Sequence, residues 1–343
     1  MLNLQDRDWQ AFLITNLGEM NHGKRLTIEA RKSGNIPLMT AGFGNYGIGD
    51  FISNADWKTY KNAVTVDMFC NSFYKSCSVT GDDNIYFFTD KRINKYSGIF
   101  LSVCIEKQKT VYSYGKQVRE KVLKRFKVLL PVNQDGFPDW QFMEEYVKER
   151  EQLLINQYRD YIQREIDILE NSMGGGNSIA ELDWKEFKII DLFSLVKRGK
   201  RLKKADHIKG NVPYAASTSI NNGIDGCCGN SKGVRIFADC LTLANSGSVG
   251  SCFYHPYNYI ASDHVTAIKR DGLDKYAYLF IATLLSRLGE KYSFNREISD
   301  KRLKREVLIL PVDESQNPAW DAMSDYMKKQ ELRLLKRYQQ YLA

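Results

Sequence analysis

The sequence predicts an α+β protein: two homologous mixed α/β domains, each followed by a long helix, with the two helices pairing as an antiparallel coiled coil. Three observations carry that expectation. The chain is written twice, each copy closes on a strongly helical stretch, and three consecutive glycines separate the copies. Asp8-Trp9-Gln10-Ala11-Phe12 matches Asp183-Trp184-Lys185-Glu186-Phe187. Gly23-Lys24-Arg25-Leu26 recurs as Gly199-Lys200-Arg201-Leu202, and Asn35-Ile36-Pro37 as Asn211-Val212-Pro213, both 176 residues on. Asn45-Tyr46-Gly47-Ile48 returns as Asn221-Asn222-Gly223-Ile224 at the same spacing. Later the spacing is 180: Tyr112-Ser113-Tyr114 with Tyr292-Ser293-Phe294, Leu130-Pro131-Val132 with Leu310-Pro311-Val312, and Pro138-Asp139-Trp140 with Pro318-Ala319-Trp320. The second copy therefore carries about four extra residues in its middle. A repeat this long is a domain, not the short module of a solenoid.

Within each copy the order of elements follows from composition. Segments 64–69, 85–88 and 126–130 are rich in β-branched and aromatic residues and predict strands, as do 234–237, 265–268 and 307–310. Residues 276–286 predict a helix, with 96–105 as its weaker counterpart. The first long helix is expected from Asp139 to Asn171 and the second from Ala319 to the C-terminus. Trp140, Met143, Val147, Leu154, Tyr158 and Tyr161 recur at steps of three and four with a polar gap near 150–151, a coiled-coil-like stripe. Met323, Tyr326, Leu334, Tyr338 and Tyr341 repeat Met143, Tyr146, Leu154, Tyr158 and Tyr161. Pro138 and Pro318 stand just before the first turns, where proline suits a helix start. The run Met173-Gly174-Gly175-Gly176-Asn177-Ser178 stops the first helix and links the copies. The expected boundaries are 1–138 for the first domain, 139–172 for its helix, 173–181 for the linker, 182–318 for the second domain and 319–343 for the last helix.

Composition excludes several classes. The 343 residues are 43% hydrophobic and 26% charged, too apolar for a disordered chain and too charged for a membrane protein. No run reaches the ~18 apolar residues of a spanning helix, and the N-terminus has no apolar signal core. A cytoplasmic location is expected. Lysine and arginine number 49 against 41 acids, a net charge of +8, which permits a polyanionic partner and argues against an acidic mimic of DNA. Seven cysteines, an odd number with no C-x-x-C pair, read as reduced thiols.

A search for catalytic chemistry returns nothing. G-x-S-x-G, G-x-x-x-x-G-K-[ST], H-E-x-x-H and the kinase motifs are all missing, as are the marks of an adenine methyltransferase and of a P-D…D/E-x-K nuclease. Of the four histidines only His22 falls close to a repeated motif, and the other copy has Arg198 there, an exchange a catalytic group would not survive. Cys227, Cys228, Cys240 and Cys252 lack zinc-ligand spacing, and the first copy has no matching set.

The loops offer recognition chemistry instead. Residues 216–226 are small, polar and amide-rich, with Ser217, Thr218, Ser219, Asn221 and Asn222 as candidate contacts. Their counterpart is 41–50, with Asn45 and Tyr46. Asparagine can give and take two hydrogen bonds and suits base edges, adenine above all, although Asn-Gly is first of all a turn signal. A second loop, 245–250, offers Asn245, Ser246 and Ser248, and its expected counterpart near 71–75 offers Asn71, Tyr74 and Lys75. Lys24 and Arg25, and Lys200 and Arg201, supply paired cations for phosphates. Arg296 and the run 301–305 form a third basic stretch, mirrored by Lys116, Arg119 and 121–125. The scaffold is repeated while these loops diverge, as reading two different stretches of nucleic acid requires.

These motifs, in this order in both copies, resemble the specificity (S) subunits of Type I restriction–modification systems and of BcgI-like Type IIB systems. The resemblance covers essentially the whole chain: two target recognition domains, each opening on W-x-x-F and a G-K-R-L turn and closing on an L-P-V strand, a proline and a long helix. The last helix, about 25 residues, is shorter than the first, a departure from the pattern. The resemblance implies a non-catalytic subunit that needs no cofactor. It would read a bipartite double-stranded DNA target and hold methyltransferase (M) or fused methyltransferase–nuclease subunits, joined in Type I systems by a restriction–translocase subunit. S-adenosylmethionine and Mg2+ would belong to those partners. A tandem-domain RNA- or protein-binding adaptor is the alternative reading.

Overall fold

The computed structural model describes residues 1–54, 56–174 and 178–342, so the central residues 175–177 of the expected linker lie outside the described residues. The chain divides into two compact units, Met1–Tyr158 and Arg159–Ala343.

The first unit contains β1 (Trp9–Leu13), β2 (Glu19–His22), β3 (Ser33–Met39), β4 (Ile48–Ile52), β5 (Ala63–Asp67), β6 (Ser72–Lys75), β7 (Thr80–Gly81) and β8 (Ile85–Thr89). Then come α1 (Lys95–Glu106), α2 (Glu120–Leu123), β9 (Lys127–Pro131) and the start of α3 (Trp140–Ser172). All of β5 and most of β8 are buried, the continuous apolar pattern of strands covered on both faces. They form the centre of an antiparallel sheet of order β2-β8-β5-β6. A smaller sheet, β4-β3-β7, stands beside it, and β1 pairs with β9. Helix α1 is set by a capping box: Asn94 accepts from the backbone of Tyr96 and Ser97, and the Asn94 backbone donates to the Ser97 hydroxyl. Its apolar face buries Phe100, Leu101 and Ile105 against Val64, Val66, Tyr86 and Phe88, each such side chain adding about 1.5–3 kcal/mol of burial. The strand expected over 64–69 stops at Asp67, because the Asp67 carboxylate takes the backbone N–H groups of Phe69 and Asn71.

The second unit repeats this order with β10 (Trp184–Lys188), α4 (Ile189–Leu192), β11 (Leu195–Arg198), β12 (Val212–Ala215), β13 (Ile224–Cys228), β14 (Ile236–Phe237), β15 (Cys240–Ala244), β16 (Cys252–His255), β17 (Tyr259–Ala261) and β18 (Val265–Lys269). It continues through α5 (Lys275–Ser286), α6 (Leu288–Lys291), α7 (Asp300–Leu303), β19 (Val307–Pro311) and α8 (Trp320–Leu342). Its sheets are β11-β18-β15-β16, β13-β12-β17-β14 and β10-β19, the same topology with β14 added at an edge. The strand expected over 234–237 is confined to this short β14. β5 and β15 begin 177 residues apart and β6 and β16 180 apart, so three of the four extra residues lengthen the β15–β16 turn.

The last turns of α3, from Arg159, belong to the second unit, where they meet α8. Arg159 donates to the Leu342 carbonyl, Gln339 to Gln163 at 2.7 Å, Lys336 pairs with Glu170 at 2.6 Å, and Lys328 donates to the Ser172 carbonyl at 3.3 Å. As the α3 number rises its partner's number falls, so these contacts run antiparallel. Ile162, Ile166 and Leu169 are buried here. The expected stripe residues Leu154, Tyr158 and Tyr161, and Leu334, Tyr338 and Tyr341, are exposed instead. The reason is geometric: a 3.5-residue stripe drifts around a 3.6-residue helix, so its two ends do not share one face unless the helices supercoil. No helix among the described residues is long and apolar enough to cross a membrane.

Candidate nucleic-acid interface

Strand register gathers the candidate loops at one end of each unit. In the first, Asp67 at the end of β5 pairs with Ile85 at the start of β8, and His22 at the end of β2 pairs with Tyr86. β3 and β7 run parallel and finish together at Met39 and Gly81. The chain thus leaves β2, β3, β5 and β7 on the same side, and loops 23–25, 40–47, 68–71 and 82–84 lie together. Gly23 donates to Ile85, Lys24 to Gly81, and Asp82 to Met39 through the backbone. A hairpin at 113–116 joins them, since Val118 donates to the Met68 carbonyl. The second unit reproduces every link: Gly199 to Val265, Lys200 to Ala261, Ser262 to Ala215, and Ile298 to Asn245.

The two tips share a skeleton but not a surface. Asn45 and Tyr46 have φ of 49° and 52°, and Asn221 and Asn222 have 49° and 53°, each pair followed by a glycine at positive φ. Asparagine tolerates this left-handed region, while for tyrosine it costs roughly 1–2 kcal/mol. Lys75 offsets that strain, donating its Nζ to the Tyr46 carbonyl at 2.7 Å from a site only 7% exposed. Burial lowers the Lys75 pKa. At the matching place stands His255, fully buried against Thr242 and Tyr257, its pKa pushed down to about 4 by desolvation. Around the first turn lie Phe43, Phe73 and Lys109, with Lys109 4.4 Å over the Phe43 ring. Around the second, Phe253 keeps the place of Phe73 against the glycine, but Phe43 and Tyr46 give way to Ser219 and Asn222 among serines, a threonine and amides, with the Ser248 backbone donating to the Ser217 carbonyl. At this turn the first domain presents aromatic rings and the second small polar groups, while both domains carry exposed cations at their loop ends, Lys24 and Arg25 in one and Lys200, Arg201 and Arg296 in the other.

A family model described as the Type I restriction modification DNA specificity domain matches residues 6–158 and 181–340. The chain belongs to this family. It is a DNA specificity subunit with two recognition domains. It is 26% identical over 345 residues to the "Type II restriction enzyme BgcI specificity subunit S.BcgI" of Heyndrickxia coagulans, covering 96% of each chain. Its fold is similar to the crystal structure of the S subunit of a Type-I restriction-modification system from M. genitalium, with a TM-score of 0.53 at 14% identity, covering 99% of this chain and 95% of that one.

In this specificity subunit the expected contact residues separate into two groups. Lys24, Arg25, Asn45, Tyr46, Lys200, Arg201, Ser219, Asn221, Asn222 and Arg296 are exposed at the loop ends, with Ser217, Thr218 and Ser248 half-buried beside them. Lys24 also lies 4.7 Å over the Trp57 ring. Asn71, Lys75, Asn245 and Ser246 are buried and correct the expectation. Asn71 is tied to Asp67 at 2.6 Å, Asn245 accepts from Thr266, and Ser246 meets His264 Nδ1 at 2.6 Å. They build the turns and do not face solvent. The expected alignment of 245–250 with 71–75 is also displaced. The backbone bonds to Val118 and Ile298 make Met68, not Asn71, the counterpart of Asn245. Tyr74 spends its hydroxyl on Asn62 at 2.9 Å, as Tyr254 does on Asp239 at 2.8 Å.

The exchange of His22 for Arg198 acquires a physical account. His22 Nε2 lies 2.8 Å from the Asp83 carbonyl, and Arg198 donates to the Asp263 carbonyl at 3.3 Å. Either side chain clamps the same turn. Asp67 carries no mark of its role in its residue type. Only the structure reveals that it ties two loop segments, 40–47 and 68–71, and its one signal in the sequence is its place before the divergent turn.

Proposed function

We propose that this specificity subunit reads a bipartite double-stranded DNA target, each recognition domain reading one half with the loops gathered at the end of its sheet. The domain bounds are taken as 1–138 and 182–318. The carrying observation is that two tips of equivalent backbone geometry present different side chains. Exposed Lys24, Arg25, Lys200, Arg201 and Arg296 hold phosphates, and the 41–50 and 216–226 loops meet base edges. The exposed positions Leu154 and Leu334, equivalent in the two long helices, dock methyltransferase or fused methyltransferase–nuclease subunits, joined in a Type I assembly by a restriction–translocase subunit. S-adenosylmethionine and Mg2+ belong to those partners, and the assembly works in the cytoplasm.

Replacing 216–226 with the corresponding loop of a family member of different specificity is expected to change one half-site and leave the other intact. Sequencing the sites methylated by the reconstituted assembly measures this, and altered preference in both halves would show that the domains do not read separately. The double variant Lys200→Ala/Arg201→Ala is expected to weaken binding across all sequences. Its slope of log affinity against log salt should fall by about 2, one unit for each phosphate no longer neutralised. An unchanged slope would make the pair ordinary surface.

A further inference from the structure

Tyr114 and Phe294 are among the most exposed aromatic side chains of the protein, at 81% and 73%, and they occupy equivalent positions. Each sits at the tip of a two-residue hairpin, closed by Ser113 pairing with Lys116 and by Ser293 pairing with Arg296. The hairpins are rigid at the root. Tyr112 stacks on Phe126 at 6.0 Å, and the Tyr292 hydroxyl donates to Glu306 at 2.5 Å. The backbone of Val118 or Ile298 then fastens each hairpin to the β5–β6 or β15–β16 turn.

The neighbouring loops change character between copies, Tyr46 becoming Asn222, but this tip keeps an aromatic ring in both. A phenyl ring has no hydrogen-bonding group with which to read a base edge. What a rigid apolar ring can do at a polyanion-facing tip is enter the base stack. A cation stands two residues on in each case, Lys116 beside Tyr112 at 5.9 Å and Arg296 beside Tyr292 at 5.4 Å, placed to hold the phosphate next to an opened step.

We propose that Tyr114 and Phe294 are wedges, each entering the duplex within its own half-site and partly unstacking one base step without selecting its sequence. The inference rests on the reading of the two domains as half-site readers.

The test uses the full chain assembled with its modification subunits and a target selected from randomised duplexes, carrying 2-aminopurine at successive positions. Binding is expected to raise the fluorescence several-fold at one step in each half-site. Tyr114→Ala removes the rise in the half read by the first domain only, and Phe294→Ala in the other only. Each costs about tenfold in affinity, the scale of one well-placed aromatic anchor, and leaves the selected bases unchanged. Tyr114→Phe keeps the rise. Sequence-specific binding with no rise at any step, or a rise that survives both alanine variants, overturns the wedges and leaves half-site reading standing. Loss of subunit assembly in Phe294→Ala with unstacking retained would make the ring a protein contact and equally overturn the proposal. If the wild-type assembly selects no duplex sequence at all, half-site reading itself fails.

Discussion

Asp67→Ala is expected to destabilise the first domain by about 3–5 kcal/mol and to abolish reading of its half-site. That size follows from what the carboxylate holds. It is 3% exposed and accepts from the backbone of Gly42, Phe69 and Asn71 at 2.8 Å each, and from the Asn71 side chain at 2.6 Å. Bonds to a charged acceptor contribute about 1.5–3 kcal/mol apiece, less when several share one group, and their removal strands buried donors. Against a typical domain stability of about 5–15 kcal/mol that is a large fraction. The loss falls on two reading segments at once, since Gly42 opens loop 40–47 and Asn71 closes turn 68–71. The second domain has Ala244 at the end of the matching strand and a longer turn instead, so its half-site should be unaffected. Denaturant unfolding followed by hydrogen exchange at 40–47 and 68–71 measures the effect. Unchanged protection there would show that Asp67 holds nothing the fold needs.

Inserting four residues after Gln157 is expected to lengthen the DNA spacer by about two base pairs without changing either half-site. α3 has 33 residues, ~50 Å at 1.5 Å per residue, and one turn of duplex is ~34–36 Å. If each domain reads one half, as proposed, the helix that joins the two domains is the expected ruler of the spacer. Four helical residues add ~6 Å, against ~3.4 Å per base pair. The site of insertion matters: it falls ahead of Arg159, so the contacts of residues 159–172 with α8 keep their register. Selection from duplexes with randomised spacers gives the readout. Preference for the original spacer would mean that the helix is not the ruler.

Much of this architecture is legible in the order of residues. Two copies of W-x-x-F, G-K-R-L and L-P-V dictate two domains of one topology, because apolar alternation and turn residues are local properties that each strand carries with it. The divergence of 41–50 from 216–226 likewise follows from comparing one half with the other. Burial was not legible. Asn71, Asn245 and Ser246 look like recognition residues by type, and the fold spends them inside turns, since a polar group in a tight turn answers to whichever partner lies nearest in space. Nor could spacing alone decide which face of α3 is covered. Ile162, Ile166 and Leu169 go inside while Leu154 stays out, because packing depends on where α8 lies and not on the stripe by itself. The duplication, the element order and the unlike loops 41–50 and 216–226 follow from residue order alone. Which side chains reach the loop ends is fixed by folding, because contacts between residues far apart in the chain are set when the strands pair in register and the loops converge.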